Sequence, residues 1–382
     1  MLEADFAVAR RSFDVVAQLC LAPGERLSLF GPSGSGKTTC LEAIAGSVVL
    51  KQGRIRLDDR LVNVARRRWP RGPAERPVEP RERGVALVRQ PTTLFPHLSV
   101  RGNVSYRLRE RAFGGERSLE QLLEEVGLAG LANAMPDALS GGQRQRACLA
   151  RAIARPFRAL LLDEPFAAVD APSRVALRTI AMDASARAGA VAILVTHDLG
   201  EAQAFGHRLG IIDEGRMLQI GSADELVRQP ASVRVAELCG FTSFIAHDSE
   251  RLWALHPDRF VEGAWNDRGI VLTGRVRSVQ AFGPRFACEL VPLAGALEHG
   301  QAADGRNVAP GERSLSGQTV VRVHVESPPR VGDDWEVTAL HPPLVPRVSS
   351  MDKQEGRSSA REPQPLGGPP ETCAVGTGIL PG

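Results

Sequence analysis

Nine residues near the amino end, Gly31-Pro32-Ser33-Gly34-Ser35-Gly36-Lys37-Thr38-Thr39, have the types and order needed to hold a chain of phosphates. The glycines let backbone N–H groups turn inward, Lys37 reaches the outer phosphates, and Thr38 offers a hydroxyl to Mg2+. Gly/Ser-rich turns between a strand and a helix are common without any ligand, but that reading leaves the Lys-Thr-Thr ending unexplained. Two further clusters could do chemistry. Asp163-Glu164 places two carboxylates at the tip of the apolar run Ala159 to Leu162, and Thr196-His197-Asp198 follows the apolar run Val191 to Val195. On its own, an Asp-Glu pair at a strand end is more often a turn than a catalytic site. Ser140-Gly141-Gly142-Gln143 opens a helical stretch reaching Ala154, where unpaired N–H groups make either a second anion site or only a cap.

These residues need a sheet to carry them. Leu27 to Phe30 reads as a short strand entering the Gly-rich turn, and Leu41, Ile44 and Ala45 mark the apolar face of the helix that leaves it. That helix begins near Thr38 and points its positive end at the bound anion. Residues 1 to 30 alternate apolar positions (Phe6, Val8; Phe13, Val15; Leu19, Leu21) around Pro23-Gly24, the pattern of a small antiparallel sheet where adenine contacts are expected. Arg54 to Leu57 reads as a further edge strand and Arg66 to Arg83 as an exposed connector without period. Val85 to Val88 is a strand with Gln90 just past its carboxyl end, where parallel α/β sheets keep ligand residues. Val100 to Leu131 is helical, with Leu119, Leu122, Leu123 and Val126 on one face, and the sheet is expected to end with Leu209 to Ile212.

Composition limits the function classes. The 382 residues, 43% hydrophobic and 24% charged, suit about two domains of ~100–200 residues each. A formal net charge of +3 gives no field strong enough to hold nucleic acid. Six scattered cysteines lack Cys-x-x-Cys spacing, and the eight histidines fit no metal spacing. The amino-terminal residues lack a basic start before an apolar core, and no run approaches the ~20 apolar residues of a membrane span, so a cytosolic chain is expected.

With these motifs in order, the chain resembles the ATP-binding subunits of ABC transporters over about residues 1 to 240. Gly31 to Thr39 resembles a Walker A P-loop, Gln90 a Q-loop and Leu139 to Gln143 the Leu-Ser-Gly-Gly-Gln signature. Leu160 to Glu164 resembles Walker B, Ala167 to Asp170 a D-loop, and His197 a switch histidine. The resemblance implies an α/β P-loop NTPase domain with a helical subdomain at about 91–155. It implies ATP as ligand, with Thr38, Gln90 and Asp163 around Mg2+, Glu164 activating water and His197 steadying the γ-phosphate. Ser140, Gly141, Gly142 and Gln143 would act on the site of a second ATPase chain, most simply a second copy, and Asp170 would be the D-loop residue. Integral membrane permease subunits follow as partners, a periplasmic or extracellular binding protein indirectly, and the cytoplasmic face of the membrane as location. The family usually stacks adenine on an aromatic residue near the end of the first strand; the register offers Phe13 or, less well, Phe6. Arg89 stands where an aromatic commonly precedes the Q-loop glutamine, and Val169 where leucine is usual.

From about Arg251 short strands and turns replace helices: Arg251 to Leu255, Ile270 to Arg277, Phe286 to Val291, Thr319 to Val325 and Trp335 to Leu340, with Ala294 to Ser316 expected as a loop. This small all-β region at 241–345 resembles the OB-like, TOBE-type regulatory domain of binding-protein-dependent importers. Residues 346–382 are Ser-, Gly- and Pro-rich and expected to be disordered. Leu94 to Asn103 is similar to the same region of molybdate-importer ATPases, and Gln219-Ile220-Gly221 to the sulfate, polyamine and sugar branch. The expected cargo is an oxyanion such as molybdate or sulfate, with polyamine, phosphonate or sugar import as alternatives. A soluble ABC protein of ribosomes or DNA repair typically carries two cassettes, and a non-hydrolysing regulator would lack Glu164 or His197.

Overall fold

A computed structural model describes residues 1–65, 78–90, 93–106, 118–246, 251–258, 260–262, 269–282, 285–299, 321–325, 329–331, 334–340, 342 and 344–346. Most of the expected 66–83 connector, the 300–316 part of the expected loop and the tail from 347 lie outside these residues.

The chain opens with β1 (Leu2–Ala9) and β2 (Asp14–Leu21), then β3 (Arg26–Phe30), the Gly-rich turn and α1 (Lys37–Ala45). Next come β4 (Gln52–Leu57), β5 (Arg60–Val64) and β6 (Val85–Val88). The helices α2 (Val100–Val104), α3 (Leu119–Glu125) and α4 (Gly141–Ile153) follow. The series β7 (Ala159–Asp163), α5 (Ala171–Arg187), β8 (Val191–Thr196), α6 (Leu199–Phe205), β9 (Arg208–Asp213), β10 (Arg216–Gly221), α7 (Ala223–Arg228) and α8 (Val233–Leu238) leads to the second region. There β11 (Ser243–Ala246), β12 (Arg251–Leu255), β13 (Phe260–Glu262), β14 (Gly269–Phe282), β15 (Arg285–His299), β16 (Val321–Val325), β17 (Asp334–Leu340) and β18 (Leu344–Pro346) are all strands.

Ten strands form one sheet in the order β5-β4-β1-β2-β10-β9-β3-β8-β7-β6. Its half from β9 to β6 is parallel, while β4, β1 and β2 pair antiparallel. The central strands β7 and β8 are buried along their whole length, which is why they read as unbroken apolar runs. One core, with Leu41 and Ile44 of α1, lies on one face of the sheet; the other, with Leu122, Leu123, Leu149 and Leu177, packs α3, α4 and α5 on the opposite face.

Three expectations are corrected. β4 is not an edge strand: it pairs with β1 on one side and β5 on the other. The reason is a tight hairpin at Asp58-Asp59, where Asp58 adopts φ +52 without a glycine to announce it. The sheet does not end at Ile212, because β10 folds back antiparallel on β9 through Glu214 and Gly215, both at positive φ. Residues 294–299 are strand, not loop, with His299 paired to Ile270.

In the second region a five-stranded antiparallel sheet runs β13-β17-β14-β15-β16, and its outer strands β13 and β16 approach each other, as a small closing barrel requires. Its core holds Leu272, Val276, Leu290, Val323 and Val337. A separate three-stranded sheet, β11-β12-β18, shares a different core. Phe241, Ala254 and Val345 bury themselves with Phe30, Ile211, Leu226 and Val235. Hydrophobic packing therefore crosses position 240 without a break.

Candidate active site

The parallel strands bring their carboxyl ends to one edge. Phe30 pairs with Thr196, Val195 with Asp163 and Leu162 with Val88, so the residues leaving β3, β8, β7 and β6 emerge side by side. Gly31 begins the turn after β3 where no side chain fits: a Cβ there would lie 2.0 Å from the Ile212 carbonyl oxygen. Gly36 ends it at φ +107, with Val15 2.8 Å from where a Cβ would stand. Both constraints shape the turn into a cradle of backbone N–H groups at the start of α1.

Lys37, the first residue of α1, is buried and donates from Nζ to the carbonyl oxygens of Gly31 and Pro32, each at 2.7 Å. Burial holds its pKa below the usual lysine value, against the opposite pull of Glu164, Asp163 and Asp213. Thr38 donates its hydroxyl to Asp163 Oδ1 at 3.0 Å. Burial raises the Asp163 pKa, Glu164 and Glu42 push the same way, and the Thr38 hydroxyl opposes them. The Ser35 hydroxyl in the same turn is buried and has no hydrogen-bond partner. A desolvated ammonium inside an amide cradle fits a polyphosphate, and a hydroxyl beside a carboxylate is a hard-oxygen donor set that fits Mg2+.

Glu164 leaves the tip of β7 at φ +44, a left-handed conformation that costs a non-glycine residue about 1–3 kcal/mol. Its N–H donates to the Val195 carbonyl at 3.0 Å, so β8 holds the strained turn. One carboxylate oxygen stands 3.2 Å from His197 Nδ1, the tautomer deciding which atom donates. The Glu164 side chain is 21% exposed and His197 61%, so the pair lies at the mouth of the cradle rather than beneath it. Gln90 is exposed, two positions beyond the last β6–β7 pair, at the level of Glu164.

Ser140 and Gln143 cap α4 reciprocally: Ser140 Oγ accepts from the Gln143 N–H at 3.2 Å, and Gln143 Oε1 accepts from the Ser140 N–H at 2.8 Å. This leaves Gly141 and Gly142 to offer amides. A Cβ on Gly142 would lie 3.1 Å from the Ala168 carbonyl oxygen, and the buried Gln145 side chain accepts from the Ala168 N–H at 3.1 Å. Asp170 caps α5 by accepting from the Ser173 N–H. The α4 turn and the 167–170 segment are thus tied to one another. The structure brings Lys37, Thr38, Asp163, Glu164 and His197 together and keeps Ser140 to Gln143 in a second group. Phe13 lies in the β1–β2 turn with its ring against Gly215, whose N–H donates to the Ser35 carbonyl.

Residues 16–167 match the family model described as ABC transporter. Over this matched stretch the fold is that of an ABC transporter ATPase. The matched stretch contains Gly31 to Thr39, Gln90, Ser140 to Gln143, Asp163 and Glu164; Asp170 and His197 lie just beyond it. Among curated relatives, an Fe(3+) ions import ATP-binding protein of Rhodococcus jostii is 43% identical over 219 residues, 57% of this chain and 60% of that protein. An sn-glycerol-3-phosphate import ATP-binding protein of Rhizobium johnstonii is 34% identical over 264 residues, covering 68% and 64%. A xylose/arabinose import ATP-binding protein of Haloferax volcanii is 35% identical over 243 residues, covering 62% and 60%. The chain therefore spans less than two thirds of the length of each of these three relatives. No helix among the described residues is long and apolar enough to cross a membrane.

Several polar residues of this ABC ATPase fold escape motif reading. The charge of Glu42 in α1 acts on Asp163 and that of Asp213 in β9 on Lys37, while Asp213 accepts from Arg234 Nε at 2.6 Å. Asn103 is fully buried and holds the 95–99 turn, accepting from the Phe95 N–H and donating to the carbonyls of Phe95, Leu98 and Ser99. Arg151 of α4 donates to the Thr93 carbonyl at 2.6 Å and lies 5.1 Å over the Phe95 ring. Arg151 carries no sequence signal, because its partner Thr93 lies 58 positions away along the chain. Asp213 does carry one, the tip of a strand next to the cradle.

Proposed function

We propose that this chain binds ATP with Mg2+ and hydrolyses it to drive a membrane importer. The observation that carries the reading is the convergence of Lys37, the Thr38–Asp163 pair and the Glu164–His197 pair on one strand edge. Lys37 exchanges its two carbonyl partners for phosphate oxygens, while the Gly-rich turn binds through its amides. Thr38 and Asp163, with Gln90, hold Mg2+, which when bound neutralises charge on the phosphate oxygens. Glu164 orients and deprotonates the attacking water, and His197 holds the Glu164 carboxylate and the γ-phosphate end in line. Phosphoryl transfer asks mainly for such positioning and charge stabilisation.

The α4 turn with Ser140 and Gly142 is grouped with Asp170 rather than with this chain's own cradle, which supports a dimer in which each copy completes its partner's site. The 94–100 segment is the surface offered to permease subunits, and the β-rich region from 241 is an OB-like regulatory domain. Import as the class is supported by the relatives, whose names specify iron ions, an organic phosphate and pentoses. Oxyanion uptake is our finer reading, resting on Leu94 to Asn103. The test of the activity is Glu164→Gln in the purified chain: ATP binding is kept and turnover collapses. Unchanged hydrolysis removes Glu164 from its role. An oxyanion-specific binding protein encoded beside this gene supports the cargo, and a sugar-specific one overturns it.

A further inference from the structure

We propose that Arg89, anchored on Glu42, is a positioning residue that sets Gln90 at the mouth of the site. The inference rests on the hydrolytic reading above.

Gln90 lies beyond the last backbone pair of β6, Val88 with Leu162, so the sheet does not fix it. Two arginines hold the segment on either side. Upstream, Arg89 Nη2 reaches Glu42 Oε1 at 3.8 Å; downstream, Arg151 takes the Thr93 carbonyl at 2.6 Å. Arg89 is thereby tied to α1, which begins at Lys37, and Thr93 to α4, which begins at the Ser140 cap. Glu42 is itself placed by a second guanidinium. Arg10, in the β1–β2 turn, pairs with Glu42 Oε2 and donates from Nε to the buried Thr39 hydroxyl at 2.9 Å. One carboxylate thus joins the turn that carries Phe13, the helix that carries Lys37 and the exit of β6.

Exposed ion pairs usually contribute little to stability, so the pair's role is not to hold the fold. The Glu42 side chain is only 24% exposed and is fixed in advance by Arg10, so Arg89 meets a partner that is already ordered. A small displacement of a positioned group costs rate more than binding.

The experiment uses the full-length chain, its Mg2+-ATPase rate and its affinity for a fluorescent ATP analogue. Arg89→Met is expected to lower kcat about tenfold while analogue affinity stays within about twofold. Arg89→Lys recovers most of the rate, and Arg89→Met combined with Glu42→Gln loses no more than the larger single change, as a shared pair requires. Equal losses in the Met and Lys variants, fully multiplied losses in the double variant, or a fall in analogue affinity matching the rate loss overturns the proposal. A normal rate in Arg89→Met overturns it alone; a wild-type chain that binds the analogue and never hydrolyses ATP overturns the hydrolytic reading with it.

Discussion

The strand tips of β3, β8 and β7 and the five-stranded sheet of the second region place their charges in opposite ways. At the tips, Lys37 and Asp163 are desolvated, their partners are backbone carbonyls and one hydroxyl, and both pKa values move toward the neutral form. In the sheet, Arg275 faces Asp334 across β14 and β17, and Arg322 faces Glu289 across β15 and β16, all at the surface. Those cross-strand pairs give the sheet modest support and lie outside its apolar core of Leu272, Val276, Leu290, Val323 and Val337. Charges withdrawn from water are costly to keep, and here they gather where an anion and a cation would be received.

If that contrast is right, Glu164→Gln gives the largest change anywhere in the molecule. Its kcat should fall about 10²–10⁴-fold with ATP binding retained, read by single-turnover hydrolysis and nucleotide binding. Phe241→Ala tests whether the two regions are separate at all. Phe241 is 2% exposed and packs with residues on both sides of position 240, so about 3–5 kcal/mol of stability should be lost in urea unfolding, with the nucleotide site and the second region affected together. Loss confined to the second region would separate them.

Asp163→Asn sharpens the comparison in another way. Burial raises the folded pKa of Asp163 above its unfolded value, so the folded chain holds this proton more tightly. Its contribution to stability is present below the usual aspartate pKa and is lost as pH rises through the window just above it. Asp163→Asn should remove that slope and raise the Tm of nucleotide-free protein near neutral pH, while collapsing Mg2+-dependent turnover. A lower Tm would show that the carboxylate serves the fold. The smallest effect is expected for Arg275→Ala, a urea-unfolding midpoint close to that of the unaltered chain and no change in ATP affinity.

Much of the site was legible because its residues sit at chain-local landmarks. The Gly-rich turn, the Asp163-Glu164 tip and His197 each follow an apolar run that could only be a buried strand, and the structure sets these runs in parallel register. What escaped reading depends on distant partners or on weak local preference. β5 was hidden because its hairpin turns on Asp58 rather than on glycine, which made β4 look like an edge. The end of β15, Leu293-Ala294-Gly295-Ala296-Leu297, has no β-branched residue to announce a strand. Arg10, Glu42 and Arg89 meet through folding alone and share no spacing.

The packing of β18 against α8 also carries a timetable. Val235 and Phe241 leave the ribosome well before Val345, which shares their core. Until β18 arrives, that side of the core stays open to solvent, although most of the large sheet can already have formed. Completion of this fold is thus a late event of synthesis, and the waiting surface is where a holding chaperone would bind a stalled or shortened chain.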